Sequence, residues 1–323
     1  MADWTRRPEW LKLSALEPTS LNRVTKLTRD LKLHTVCESA RCPNRAKCFA
    51  EGTATFMILG NICTRNCTFC AVNCGKPQAP DPQEPDHIVQ AVDRLGLRYV
   101  VITSVTRDDL PDGGSSQFAQ TIRAIHKYDS NIAVEVLIPD FQGSASALQT
   151  VLDASPAVLN HNIETVPRLY SEVRPQAKYG RSLDLLKQAK LLDSSLVTKS
   201  GLMLGLGESR DEVIGVMADL REAGCDLLTI GQYLQPSLEH HELVRYVRPE
   251  EFEEYQIAGK KLGFVSIMSG PLVRSSFHAA ERHISAARKL KQKPGSSCIG
   301  GQCGLTFLAS LHIIHSERRA GKA

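Results

Sequence analysis

No stretch of the 323 residues approaches the run of roughly 20 apolar residues that a membrane span requires. The opening Met-Ala-Asp-Trp-Thr-Arg-Arg-Pro lacks the apolar run of a secretory leader. Long runs of one charge sign are missing too, and 39 Lys and Arg against 35 Asp and Glu leave a net charge of only +4. So mild and dispersed a charge gives little support to nucleic-acid binding. These absences lead to the expectation of a soluble, cytoplasmic chain that binds neither membrane nor nucleic acid, with an organellar protein whose transit segment is absent as the alternative. There is no internal repeat beyond strand-helix alternation, and no domain boundary that composition marks. Apolar residues are not scarce: at 42% they can fill a sizeable core.

Cysteine, by contrast, is abundant and clustered. Seven of the ten cysteines fall between Cys37 and Cys74. A chain of this size needs no disulfide staples, and in a reducing compartment such clusters hold metals more often than they form disulfides. Two triads stand out, Cys37-x4-Cys42-x5-Cys48 and Cys63-x3-Cys67-x2-Cys70, each one ligand short of a closed four-thiolate site. An incomplete site leaves a coordination position for chemistry.

Short apolar runs at Thr55–Gly60, Tyr99–Ser104, Ile132–Ile138, Val158–Ile163, Ser200–Leu206 and Leu227–Tyr233 read as strands. Helical patterns separate them near His87–Leu95, Gln117–Tyr128, Ala145–Asp153, Leu183–Leu191, Asp211–Ala223 and Pro249–Leu262. Six strand-helix units in series predict an α/β fold with a parallel sheet and helices outside, a partial (β/α)6 TIM-like barrel, although a doubly wound sheet has the same local pattern. The expected organisation is an N-terminal extension over 1–54, a barrel over 55–263, a C-terminal extension over 264–290 and a tail over 291–323 containing Cys298 and Cys303. Residues 37–52 are read as an irregular loop, dense in Cys, Arg and Asn. In either architecture the loops after the strands' carboxyl ends should hold the site.

Three thiolates at x3 and x2 spacing can hold three irons of a cubane and leave the fourth open to a small molecule. With Cys74 the same segment could instead close a structural zinc, and Cys67-x2-Cys70-x3-Cys74 is a rival register. Placed directly after a first strand, the Cys63 triad resembles the radical S-adenosylmethionine superfamily. The first triad narrows the resemblance. Val36-Cys37-Glu38-Ser39-Ala40-Arg41-Cys42-Pro43-Asn44, Cys48-Phe49 and Ala54-Thr55-Phe56-Met57-Ile58-Leu59-Gly60 closely resemble lipoyl synthases. So do Thr103-Ser104-Val105, Arg107-Asp108-Asp109-Leu110, Asp112-Gly113-Gly114, Asn160-His161-Asn162-Ile163-Glu164-Thr165, Gly205-Leu206-Gly207-Glu208, Gln232-Tyr233-Leu234-Gln235-Pro236 and Arg274-Ser275-Ser276.

The resemblance implies insertion of two sulfur atoms, at C6 and C8, into an octanoyl chain carried on a lysine of a lipoyl-domain protein. That carrier would be a glycine cleavage H protein or a 2-oxoacid dehydrogenase E2 domain. It further implies two 4Fe-4S clusters, S-adenosyl-L-methionine, a flavodoxin- or ferredoxin-type electron donor and an iron-sulfur carrier for cluster reloading. Carried over by residue, Cys63, Cys67 and Cys70 hold the cluster that cleaves adenosylmethionine to a deoxyadenosyl radical. Cys37, Cys42 and Cys48 hold the auxiliary, sulfur-donating cluster, whose fourth ligand is Ser276 or, second in preference, Ser275. A serine alkoxide is a harder partner for iron than thiolate, which suits a cluster that must be dismantled. Without the resemblance, serines beside Arg274 read as a helix cap. Phe277 stands where the family usually has tyrosine.

Further candidates for the adenosylmethionine pocket are Thr103, Ser104, Asn162, Glu164, Arg181, Gly205, Gly207 and Glu208, with Arg174 beside them as a carboxylate binder. Asn160, Asn162 and Glu164 alternate along one strand end and share a face, expected to be the barrel interior; His161 points the other way and reads as structural. Gly205 and Gly207 also fit a plain strand-to-helix turn. Two other functions stay open at this point: a different radical adenosylmethionine sulfurtransferase, and a non-catalytic iron-sulfur or zinc-binding protein.

Overall fold

The computed structural model describes residues 7–12, 18–50, 54–276, 279–281 and 283. The expectations that rest on Phe277, Cys298 and Cys303 lie outside the described residues. In chain order the elements are α1 (Pro18–Asp30), β1 (His34–Thr35), α2 (Val36–Ser39), α3 (Arg45–Ala50), β2 (Thr55–Ile58), β3 (Ile62–Cys63), β4 (Asn73–Cys74), α4 (Glu84–Leu95), β5 (Tyr99–Ser104) and α5 (Ser115–Tyr128). They continue with β6 (Ala133–Leu137), α6 (Ala145–Leu152), β7 (Val158–Asn160), α7 (Tyr170–Val173), α8 (Tyr179–Leu192), β8 (Val197–Leu204), α9 (Arg210–Glu222), β9 (Leu227–Gln232), α10 (Pro249–Lys261) and β10 (Ser266–Gly270).

The main sheet runs β1-β2-β5-β6-β7-β8-β9-β10. Every pairing from β2 to β10 is parallel; only β1, at one edge, is antiparallel. Parallel strands covered on both faces carry continuous apolar runs, and Thr55–Ile58 is buried at all of its positions. The outer helices bury one stripe: in α9 it is Val213, Val216, Met217 and Leu220, a spacing of three and four. That helix begins at a capping box between Ser209 and Glu212, and α4 ends on left-handed Gly96.

Two features depart from the sequence expectations. The apolar run Phe264–Ile267 was expected to open an extension; β10 instead joins the sheet as a seventh parallel strand beside β9, because Phe264 and Val265 are buried at its entry. The first cysteine loop was expected to be irregular but holds α2 and α3. The Thr35 side chain accepts from Glu38 N and caps α2, and α3 turns Phe49 into a small core with Val24, Cys37 and Ala54.

Polar groups also enter the interior. Lys199 and Glu135 form an ion pair at 2.5 Å with both side chains 1% exposed. Tyr99 Oη and Asn160 Nδ2 donate to the same carboxylate at 2.7 and 3.3 Å.

Candidate functional site

At the first triad, α2 and α3 set the cysteines. Cys42 N donates to Cys37 O at 3.0 Å and Cys48 N to Asn44 O at 2.9 Å, which folds the segment into two tight turns. Long-range bonds fix it to the sheet's far end. Asn44 Nδ2 donates to Leu272 O at 2.7 Å and Arg41 Nη1 to Pro236 O at 3.2 Å. The resulting cavity is lined by Cys37, Cys42, Asn44, Cys48, Ala54, Thr55, Arg274 and Ser276. Three thiols and the hydroxyls of Thr55 and Ser276 thus line one cavity, drawn from segments more than two hundred residues apart. Thr55 Oγ1 donates to Ser276 Oγ at 2.9 Å. Burial pushes the Cys37 thiol up to about 11, opposed by hydrogen bonds from Thr55, so a metal's charge is what would remove its proton. The half-buried guanidinium of Arg274 lines the same cavity beside Cys42, which favours a negatively charged occupant.

The two neighbouring serines face different ways. Ser276 lines the cavity. Ser275 Oγ accepts from Asn160 Nδ2 at 2.7 Å and donates to Asn162 Oδ1 at 3.1 Å.

The second triad follows β2, where Leu59 (φ 68°) and Gly60 (φ 89°) turn the chain into β3. Cys63 Sγ accepts from Arg65 N at 3.4 Å and Thr106 N at 3.3 Å. Arg65, inside the motif, is nearly buried and binds Asp108 at 2.6 and 2.9 Å and Asp140 at 2.6 Å. Burial works to raise the Asp140 carboxyl, but Arg65's hydrogen bond and charge outweigh it and hold the group well below the carboxylate range. His240 Nε2 stands 3.2 Å from Cys70 O, and His241 N donates to Thr68 O at 2.8 Å. Burial, then the neighbouring thiols, keep Cys70 up at about 12 despite a backbone hydrogen bond at Val72 that lowers it. Cys74 pairs in register with Cys63 but is exposed, whereas Cys63, Cys67 and Cys70 are half-buried. Among the described residues no three Cys, His, Asp or Glu side chains close on a single ion. A cubane spreads its thiolates over separate irons, so both donor sets suit a cluster in chemistry.

Asn162 Nδ2 donates to Glu164 Oε1 at 3.0 Å, and Ser275 joins Asn160 to Asn162, so the three β7-end residues share a face. Glu164 is pushed up by burial, with Arg174 opposing. Arg174 Nη1 donates to the carbonyls of Asn162 and Ile163 at 3.0 and 3.2 Å, while its buried Nε has no partner among the described residues. Arg181 instead donates to Asp140 at 3.1 Å. The Glu208 carboxylate accepts from Gly205 N at 2.7 Å and Leu206 N at 2.9 Å, closing its own loop. Gly205 (φ 100°) lies where a Cβ would meet Arg245 O at 2.5 Å; Gly207 shares the positive φ. Thr103 Oγ1 donates to Leu137 O at 3.1 Å, and Ser104 Oγ is buried without a partner among the described residues. His161 is structural, held between Ile138 O and Ser182 Oγ.

Sequence reasoning missed Thr55, Arg65 and His240. Arg65 could have been noticed, since a lone arginine between closely spaced cysteines must go somewhere. His240 lies 170 residues from Cys70 and left no local signal.

A model described as the Radical SAM superfamily matches residues 57–220, and one described as the N-terminal domain of lipoyl synthase matches residues 2–42. A lipoyl synthase of Caldanaerobacter subterraneus subsp. tengcongensis is 59% identical over 85% of this chain and 96% of that protein. One of Rubrobacter xylanophilus is 56% identical over 87% and 88%. Among solved structures, methylornithine synthase superimposes with a TM-score of 0.51 at 12% identity, over 85% of this chain and 78% of that one, a likeness of fold.

Proposed function

The chain belongs to the lipoyl synthase family of the radical adenosylmethionine superfamily, and from that premise we propose how its residues divide the work. The reaction is insertion of sulfur at C6 and C8 of an octanoyl group carried on a lysine of a lipoyl-domain protein. With both clusters and adenosylmethionine bound, the groups supply a one-electron reductant, a carbon radical that abstracts hydrogen, and sulfide. Cys63, Cys67 and Cys70 hold the first cluster, and Cys37, Cys42, Cys48 and Ser276 the second.

The observation that carries this assignment is the cavity where Ser276 meets the three N-terminal cysteines. Arg65, locked between Asp108 and Asp140, fixes the Cys63–Cys67 turn, and His240 braces it at Cys70. Arg174, whose buried Nε has no partner among the described residues and whose charge acts on Cys67 and Glu164, is better placed than Arg181 to receive the carboxylate of adenosylmethionine. Asn162 and Glu164 take its amino or ribose groups. Gly205 and Gly207, shaped by Glu208, and the Thr103-Ser104 strand end complete the pocket. A flavodoxin- or ferredoxin-type donor would supply electrons, an iron-sulfur carrier would reload the auxiliary cluster, and the cytoplasm is the proposed setting. No helix among the described residues is long and apolar enough to cross a membrane.

The test is anaerobic reconstitution, then mass analysis of an octanoyl-lysine peptide incubated with adenosylmethionine and reductant. About eight irons per chain and a mass gain matching two sulfurs are expected. Adenosylmethionine cleavage with no sulfur gained would refute the reading.

A further inference from the structure

We propose that Ser275 is a positioning residue: by bonding the two asparagines at the end of β7, it holds Ser276 over the cavity of Cys37, Cys42 and Cys48. Adjacent residues on an extended or turning chain can present side chains to opposite sides, and here each hydroxyl is committed. Ser276 meets Thr55 at the cavity. Ser275 accepts from Asn160 at 2.7 Å and donates to Asn162 at 3.1 Å, so its hydroxyl is held by both asparagines. Asn160 is itself fixed, since its Nδ2 also approaches Glu135, the carboxylate paired with Lys199. Asn162 is fixed through Glu164, and Gly201 leaves room for it, because a Cβ there would sit 2.7 Å from Asn162 Oδ1. The chain of bonds Glu164–Asn162–Ser275 therefore ends one residue from the hydroxyl at the sulfur-donor cavity. Ser276 sits on a short segment after β10, and a single peptide link transmits the anchor. The same bonds tie the radical-generating half of the site to the sulfur-donating half.

This inference rests on Ser276 being a cluster ligand, and the experiment separates the two. Ser275→Ala, Ser275→Thr and Ser276→Ala are made in the full chain. In the cluster-free protein, hydrogen exchange at residues 271–276 should speed up in Ser275→Ala and stay near the parent in Ser275→Thr, which keeps the hydroxyl. After reconstitution, deoxyadenosine formed per sulfur inserted should rise about tenfold to a hundredfold in Ser275→Ala, the effect of misplacing a reacting group, and recover in Ser275→Thr. If Ser276→Ala disturbs the auxiliary cluster's spectrum but Ser275→Ala leaves both exchange and ratio unchanged, the positioning role is wrong. Equal damage in the alanine and threonine variants also overturns it. A Ser276→Ala protein with an unaltered cluster spectrum would instead sink the ligand assignment. Should Ser275→Ala not fold, Asn160→Ala cuts the same anchor from the barrel side and must give the same pattern.

Discussion

Thr55 Oγ1 donates to Ser276 Oγ at 2.9 Å, across 221 residues of chain. Thr55 opens β2, the strand that leads to Cys63, and its groups also hydrogen-bond Cys37. One threonine thus touches a member of the first triad and its distant serine, and lies on the strand that delivers the second triad.

Thr55→Val keeps the shape and strand preference of the side chain while removing its hydroxyl. The hydroxyl's bonds to Ser276 and Cys37 are each worth about 1 kcal/mol, so the cluster-free protein should melt only a few degrees lower. The auxiliary cluster should be lost faster to a chelator, followed by absorbance, while the Cys63-triad cluster is retained. Equal chelation rates in parent and variant would contradict this.

Gly231 lies in β9 with no unusual dihedral, yet a Cβ there would sit 2.1 Å from Val273 O. Gly231→Ala must push back the segment that carries Arg274, Ser275 and Ser276. The expected cost is about 1–3 kcal/mol. Bound iron should fall from about eight toward about four per chain, because the segment carries Ser276, the proposed ligand of the auxiliary cluster, and no proposed ligand of the Cys63-triad cluster. Iron and sulfide analysis after reconstitution checks it.

Lys199→Met strands the buried Glu135 carboxylate and should cost about 3–5 kcal/mol in denaturant unfolding. Adding Glu135→Gln removes the uncompensated charge and keeps an acceptor for Tyr99 and Asn160. The double variant should regain most of the loss. A double variant no more stable than Lys199→Met would show that the pair is not the source of the penalty.

His161 titrates at about 4, lowered chiefly by burial and then by the charge of Arg174, against an ordinary 6.5. The unfolded chain therefore binds the extra proton first as pH falls. This group's contribution to stability is full above about 6.5, declines between 6.5 and 4, and amounts to on the order of 3 kcal/mol. Urea midpoints of the cluster-free protein should fall through that window in the parent. In His161→Gln the slope should be shallower by about one proton.

The barrel was legible because β2, β5, β6, β7, β8 and β9 are short apolar runs, each followed by a helix with a three-and-four apolar stripe. β10 was less so, since Ser266-Ile267-Met268-Ser269-Gly270 carries little apolar signal of its own and is placed by pairing with β9. The cysteines stood out through spacing. What they touch did not: Thr55 beside Ser276, His240 beside Cys70 and Arg65 between two aspartates are contacts made by folding over long separations. α2 and α3 were hidden because they are only four and six residues long, too short to show a helical period, and Pro43 and Asn44 between them read as a turn.

The most direct measurement is Mössbauer spectroscopy of the chain reconstituted with iron-57 on a background where Cys63, Cys67 and Cys70 are all replaced by alanine, so that only the auxiliary cluster remains. Comparison is made with and without Ser276→Ala. One iron of the four should change its signature when the serine is removed, with the other three unmoved. Superimposable spectra would contradict the placement of Ser276 as the ligand that completes the Cys37, Cys42 and Cys48 site.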